Sequence, residues 1–174
     1  MESYEVLIII AVALVFGISV YLLVHTTIVH RRISAVHELF SSTLPGVQIT
    51  PAKVSFFDFH LERGDTTYLL KVIPFDSNHE LIITNQYFWC VNSDLKGWKR
   101  STVPDLVSGV KEFIDYKPET SNKIVKIAMI FPTCYNITRY LNESDVAIVK
   151  PRDLVYGVYF VKAADLQIFF HKPE

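Results

Sequence analysis

From Val6 to Val24 the chain reads VLIIIAVALVFGISVYLLV, nineteen residues without a charge. As a helix this run rises about 28 Å, close to the ~30 Å hydrocarbon core of a bilayer. A helix buried in a small soluble domain shows an apolar stripe and a polar face, whereas this run is apolar all round. It predicts a transmembrane helix. Glu2 and Glu5 precede the run, and no A-x-A-like site follows His25-Thr26-Thr27-Ile28. Both features argue for an uncleaved signal-anchor rather than a signal peptide.

Downstream the periods change. Ile33, Val36, Leu39 and Phe40 recur at helical spacing, predicting an amphipathic helix over 31–44 that continues the first with a break near Thr26-Thr27 and stops at Pro45-Gly46. Val47 to Ala52 reads as an extended connection. Lys53–Leu61 (KVSFFDFHL) and Thr66–Ile73 (TTYLLKVI) are rich in aromatic and β-branched residues and flank Glu62-Arg63-Gly64-Asp65, the pattern of a β-hairpin. Glu80–Thr84 and Gln86–Val91 read as further strands, with Asn85 a turn or a bulge, and Asn92–Arg100 as a loop. Val103–Tyr116 carries a helical stripe with Pro104 and Asp105 suited to its first turn. Lys123–Phe131 reads as a strand ended by Pro132. Asn136–Asn142 suggests a short helix capped by Asn136, and Val146–Val149, Val155–Val161 and Leu166–Phe170 read as short strands. The predicted fold class is therefore α+β: an N-terminal membrane anchor over 1–30, then one mixed-sheet domain over 31–174 flanked by helices.

Composition narrows the function. The net charge is −1, and the part beyond residue 30 holds seventeen bases against sixteen acids, so no electrostatic footprint for nucleic acid exists. Two cysteines exclude a disulfide framework or a four-cysteine zinc site. Cys90, between Trp89 and Val91, reads as a small buried hydrophobe and Cys134 as exposed, with no nucleophile signature around either. No Walker A, G-x-G-x-x-G or H-E-x-x-H sequence occurs. Arg31 and Arg32 follow the apolar run and no Lys or Arg precedes it, which by the positive-inside bias puts the N-terminus outside and the C-terminal domain in the cytoplasm. Asn136-Ile137-Thr138 and Asn142-Glu143-Ser144 match the glycosylation sequon, relevant only to the opposite orientation.

Two clusters carry candidate chemistry. With a two-residue Arg63-Gly64 turn, Asp58 faces Leu69, and Lys71 lies diagonal to Asp58 on the same face. A charged pair inside an apolar hairpin needs a reason, because burying charge is costly without a partner. A helix, a three-stranded meander, a helix and a strand, with Asp58 on one strand and Lys71 on the next, resemble the core of the PD-(D/E)XK (restriction-endonuclease-like) superfamily over residues 31 to 131. That resemblance implies a metal-dependent nuclease in which Asp58 holds Mg²⁺ and Lys71 assists the attacking water. The tripeptide reads Leu69-Leu70-Lys71, however, so its carboxylate is missing, and leucine supplies no oxygen for Mg²⁺. Glu80, Glu62 or Asp65 would have to replace it. Without a replacement, Asp58–Lys71 is a structural pair and no cofactor is implied. The second cluster, Lys96, Trp98, Lys99 and Arg100, is a compact basic patch with an aromatic residue, suited to anionic lipid or phosphate. The leading expectation is a single-pass, non-catalytic interaction or scaffold module, an accessory subunit of a membrane-associated assembly. Its partners are the lipid bilayer and a protein, not a nucleic acid, with homo-oligomerisation open. The alternative is a membrane-tethered nuclease using Asp58 and Lys71.

Overall fold

A computed structural model describes residues 3–44, 47–75, 78–92, 105–142 and 145–171. The chain forms two compact units, Met1–Leu39 and Phe40–Glu174. The first is made by helix α1, Ser3–Thr43, whose last turn belongs to the second unit. No break occurs at Thr26-Thr27. The Thr26 hydroxyl donates to the Leu22 and Leu23 carbonyls and that of Thr27 to the Leu23 carbonyl, so both threonines satisfy themselves within the helix and let it run on. α1 is long and apolar enough to cross a membrane, with a window of mean hydropathy 2.3 in which no residue is buried inside the protein.

The second unit is α+β, as its alternating strand and helix patterns predict, and its strands divide between two mixed sheets. The first has the order β1-β2-β3-β7-β11-β10, from Gln48–Pro51 (β1), Phe59–Arg63 (β2), Thr66–Pro74 (β3), Lys123–Phe131 (β7), Leu154–Val155 (β10) and Val158–Lys162 (β11). β3, β7 and β11 are parallel in its centre, and antiparallel strands close both sides. The second has the order β6-β5-β4-β8-β9, from Glu80–Asn85 (β4), Phe88–Asn92 (β5), Asp105–Leu106 (β6), Ile137–Tyr140 (β8) and Val146–Ile148 (β9). β3 and β7 run side by side in the first sheet, and the strands that follow them, β4 and β8, run side by side in the second.

One face of each sheet meets the other in a common core. Leu69, Ile73, Ala128, Ile130 and Phe160 from the first sheet join Leu81, Ile83, Trp89 and Ile137 from the second. The Trp89 and Phe160 rings meet edge to face at 4.7 Å. Helix α2, Val110–Asp115, adds Val110 and Phe113. The opposite face of the first sheet is covered by helix α3, Leu166–Phe170, and the last turn of α1. The Phe170 ring packs on Tyr68 and Phe40, and Phe169 on Tyr159.

Several local expectations are corrected. The 53–61 strand begins only at Phe59, because Phe56 and Phe57 turn aside to pack on Tyr116. The hairpin reverses at Gly64-Asp65 rather than Arg63-Gly64, since Gly64 takes a positive φ of 57° there. The helix foreseen over 103–116 is only α2. Asp105–Leu106 instead pairs with β5, and Gly109, at φ 65°, turns the chain into the helix. The helix foreseen over Asn136–Asn142 is absent, and β8, Ile137–Tyr140, stands there instead, its Ile137 and Thr138 pairing with Leu81 and Ile82. Val155–Val161 is interrupted by a two-residue turn at Tyr156-Gly157. Leu166–Phe170 is helix rather than strand, so that successive phenylalanines reach different rings of one sheet face. Pro45-Gly46 lies outside the described residues.

Candidate functional site

The hairpin register sets the geometry at Asp58 and Lys71. β2 and β3 pair as Phe59↔Leu70 and His60↔Leu69, two residues removed from the pairing foreseen in the sequence. A two-residue shift preserves the face, because side chains alternate with period two. The regular pairing ends at Phe59↔Leu70, and beyond it the Asp58 N–H donates to that same Leu70 carbonyl, one residue out of the register. Asp58 lies close enough for its negative charge to act on the Lys71 ammonium.

Each side chain is used locally. The Asp58 carboxylate accepts the Val72 N–H at 2.7 Å. Lys71 is 7% exposed and donates its ammonium to the Phe56 carbonyl at 3.1 Å. Burial pushes the Lys71 pKa down, while the negative charges of Asp58 and Glu112 oppose that shift. Gly109 makes room for this arrangement: a Cβ there would lie 3.3 Å from the Phe56 Cβ and 3.5 Å from the Lys71 Nζ. Lys126, on the same sheet face, donates to the Ile114 carbonyl near the end of α2, and burial lowers its pKa also, against the charge of Asp115. Lys126 thus fastens the end of α2 to the sheet, and Lys71 fastens the Phe56 backbone. Leu69 points into the core between the sheets at 2% exposure.

The residues named as substitute carboxylates disperse. Glu62 lies 3.6 Å from His60 on β2, Asp65 is in the hairpin turn, and Glu80 is on the second sheet. Among the described residues, no group of three or more His, Cys, Asp or Glu side chains is placed to hold a metal ion. Cys90 is buried as expected. Cys134, expected exposed, is buried at 4% exposure, and its thiol is pushed up to about 11 by that burial. Neither is an activated nucleophile, which needs a lowered pKa and access. Lys96, Trp98, Lys99 and Arg100 lie outside the described residues.

Comparison with protein-family models, curated proteins and solved structures finds no match.

The sequence reading missed a feature on the outer face of the second sheet. Leu106, Cys90, Ile82, Thr138 and Ile148 form one continuous row across all five strands. Along that row lies a groove of about 560 Å³, its lining divided between apolar residues such as Phe88, Cys90 and Val146 and polar ones such as Glu80, Thr84 and Thr138. Phe88, Leu106, Val146 and Ile148 are 42–64% exposed. The signal lay in apolar residues at both parities of Glu80–Asn85 and Phe88–Asn92, which a half-solvated sheet does not need.

Proposed function

We propose that this protein is a single-pass, membrane-tethered interaction module whose folded α+β domain serves as a non-catalytic scaffold or accessory subunit. The observation that carries the reading is α1: an uncharged apolar stretch with no side chain in its most hydrophobic window buried by the rest of the chain. Such a surface is at home in lipid and not in water. Arg31 and Arg32, just past the apolar run, support an N-out orientation with a cytoplasmic domain. The protein partner is supported by the exposed Phe88, Leu106, Val146 and Ile148 gathered on one sheet face.

The same arrangement speaks for a structural use of Asp58 and Lys71. A nuclease of PD-(D/E)XK type needs its lysine available to water and at least two oxygen ligands converging on a metal. Here the Lys71 ammonium is bonded to the Phe56 carbonyl and the Asp58 carboxylate to the Val72 N–H.

Three measurements on the full chain test the reading. The protein stays in the membrane pellet after alkaline carbonate washing; release would overturn the anchor. Protease added to intact cells spares the domain; digestion would reverse the orientation. A stoichiometric protein co-purifies after mild detergent extraction, and Mg²⁺ or Mn²⁺ leaves DNA intact and thermal stability unchanged. Metal-dependent cleavage abolished by Lys71→Met would replace the scaffold reading with the nuclease.

A further inference from the structure

The outer face of the second sheet carries a row of side chains that is apolar on four of its five strands, with Thr138 on the fifth. From Leu106 on β6 to Ile148 on β9 the row crosses five strands, and its ends are 58% and 64% exposed. Nothing in the fold requires these side chains to be apolar: the inner face of the same sheet already supplies Leu81, Ile83, Trp89 and Ile137 to the core. The first sheet shows how this protein treats an apolar outer face, for it lays α3 across one, with Phe169 and Phe170 packed on Tyr159 and Tyr68. The second sheet has no equivalent helix among the described residues.

Size and charge define what fits. Four strand spacings of about 4.8 Å by some 17 Å of strand give a face of roughly 330 Å² in projection. A stable dimer buries about 800 Å² on each partner, so this face alone is too small for a second copy. A helix about 10 Å across and 11–12 residues long runs the length of a strand and covers about half of it, enough for the β4–β9 side. Glu80 is the one charged residue among those lining the groove, set at the end where β4 begins and β5 finishes, opposite Asn92. The occupant's complement is therefore an apolar stripe with a basic side chain near one end.

We infer that the outer face of the second sheet is the docking groove for a short amphipathic helix of a partner protein, seated on Phe88, Ile82, Val146 and Ile148 and oriented by a Lys or Arg that meets Glu80. This rests on the interaction-module reading and names the surface and partner chemistry it would use.

The test uses the full chain in lipid nanodiscs. A display library of 12-residue peptides is selected on the wild-type protein and counter-selected on Ile148→Asp, a change at a solvent-facing position. The Ile148→Asp melting temperature and circular dichroism verify that its fold is kept. The expected winners carry apolar residues at i, i+3, i+4 and i+7 and a terminal basic residue. They bind Ile148→Asp at least tenfold more weakly, and Glu80→Lys shifts preference to peptides with an acidic end. Recovery of no face-dependent peptide, or only of alternating extended sequences, overturns the inference. A solvatochromic dye on Ile148→Cys in peptide-free protein is expected to report water at every dilution. Constant burial would show the face filled by the chain itself, and concentration-dependent burial a second copy; both overturn it. A cellular partner that still co-purifies with Ile148→Asp rejects this groove while leaving the tethered module standing. Release by carbonate washing rejects the module without touching the peptide result.

Discussion

Cys134 shows how burial alone decides a residue's chemistry here. Its thiol sits at 4% exposure beside Lys162, whose charge favours the thiolate, yet burial outweighs that attraction and holds the pKa at about 11 against an ordinary 9.0. Below pH 9 the thiol is protonated in both folded and unfolded chains. Above it the unfolded chain loses the proton while the folded chain keeps it, so this group's contribution to stability falls between pH 9 and 11. Cys134→Ala is expected to flatten that part of the stability profile, measured by denaturant titration at half-unit pH steps. Native Cys134 should also resist iodoacetamide at pH 8 until the protein unfolds. Gly109 gives a second test at this scale. Gly109 and Gly64 both have positive φ, but a Cβ at Gly64 meets nothing within 4 Å, whereas one at Gly109 crowds Phe56 and approaches the Lys71 Nζ. Gly64→Ala should cost about 1 kcal/mol, the left-handed backbone penalty. Gly109→Ala should cost about twice that, lowering Tm by roughly 4–8 °C at 2–4 °C per kcal/mol. Equal losses would show that Phe56 yields freely.

The Tyr156-Gly157 turn joins β10 and β11 with only two residues between the Val155↔Val158 pair, and both have positive φ, 52° and 78°. That is the geometry asparagine-glycine favours, and tyrosine is poorly suited to it. Tyr156→Asn is expected to stabilise the domain by about 0.5–1 kcal/mol, raising Tm by 1–4 °C in a thermal scan. A fall would mean that the exposed tyrosine ring makes a compensating contact. The same turn shows what the sequence does and does not disclose about elements. Lys123–Phe131 was legible to the residue because an apolar, β-branched run buried on both faces has one reading. Val155–Val161 was legible as strand but not as two strands, since Tyr156-Gly157 lacks the usual turn signature. Leu166–Phe170 misled because four apolar residues in a run of five fit either period, and only the rings waiting at Tyr68 and Tyr159 choose the helix. At the candidate site, the antiparallel pairing of β2 with β3 was readable from alternation. The register was not, because one turn position shifts it by two. The outer groove stayed hidden for a related reason: parity reveals that both faces of β5 carry apolar residues, never which of them is covered.

For the whole molecule the deciding quantity is the surplus hydrophobicity of the α1 apolar run. Between Val6 and Val24 it holds fourteen Leu, Ile, Val and Phe residues. At about −0.3 to −0.6 kcal/mol each on an insertion scale, they contribute roughly −4 to −8 kcal/mol. One arginine at the middle costs about 2.5–3.5 kcal/mol on that scale, so Leu14→Arg leaves insertion favourable and most of the chain in the membrane. A second, as in Leu14→Arg with Ile18→Arg, roughly doubles the cost, removes two favourable residues and brings the balance near or above zero. The double variant should therefore appear in the carbonate-soluble fraction while the single one stays in the pellet. Neither substitution reaches the core between the two sheets, all of whose residues lie beyond Phe40. The released double variant should accordingly keep the wild-type near-ultraviolet circular dichroism of Trp89 against Phe160. Retention of the double variant in the pellet would point to attachment through the folded unit instead. Loss of the Trp89 signal on release would make the folded unit dependent on the membrane segment, and the picture of a self-sufficient domain carried by a replaceable anchor would fall.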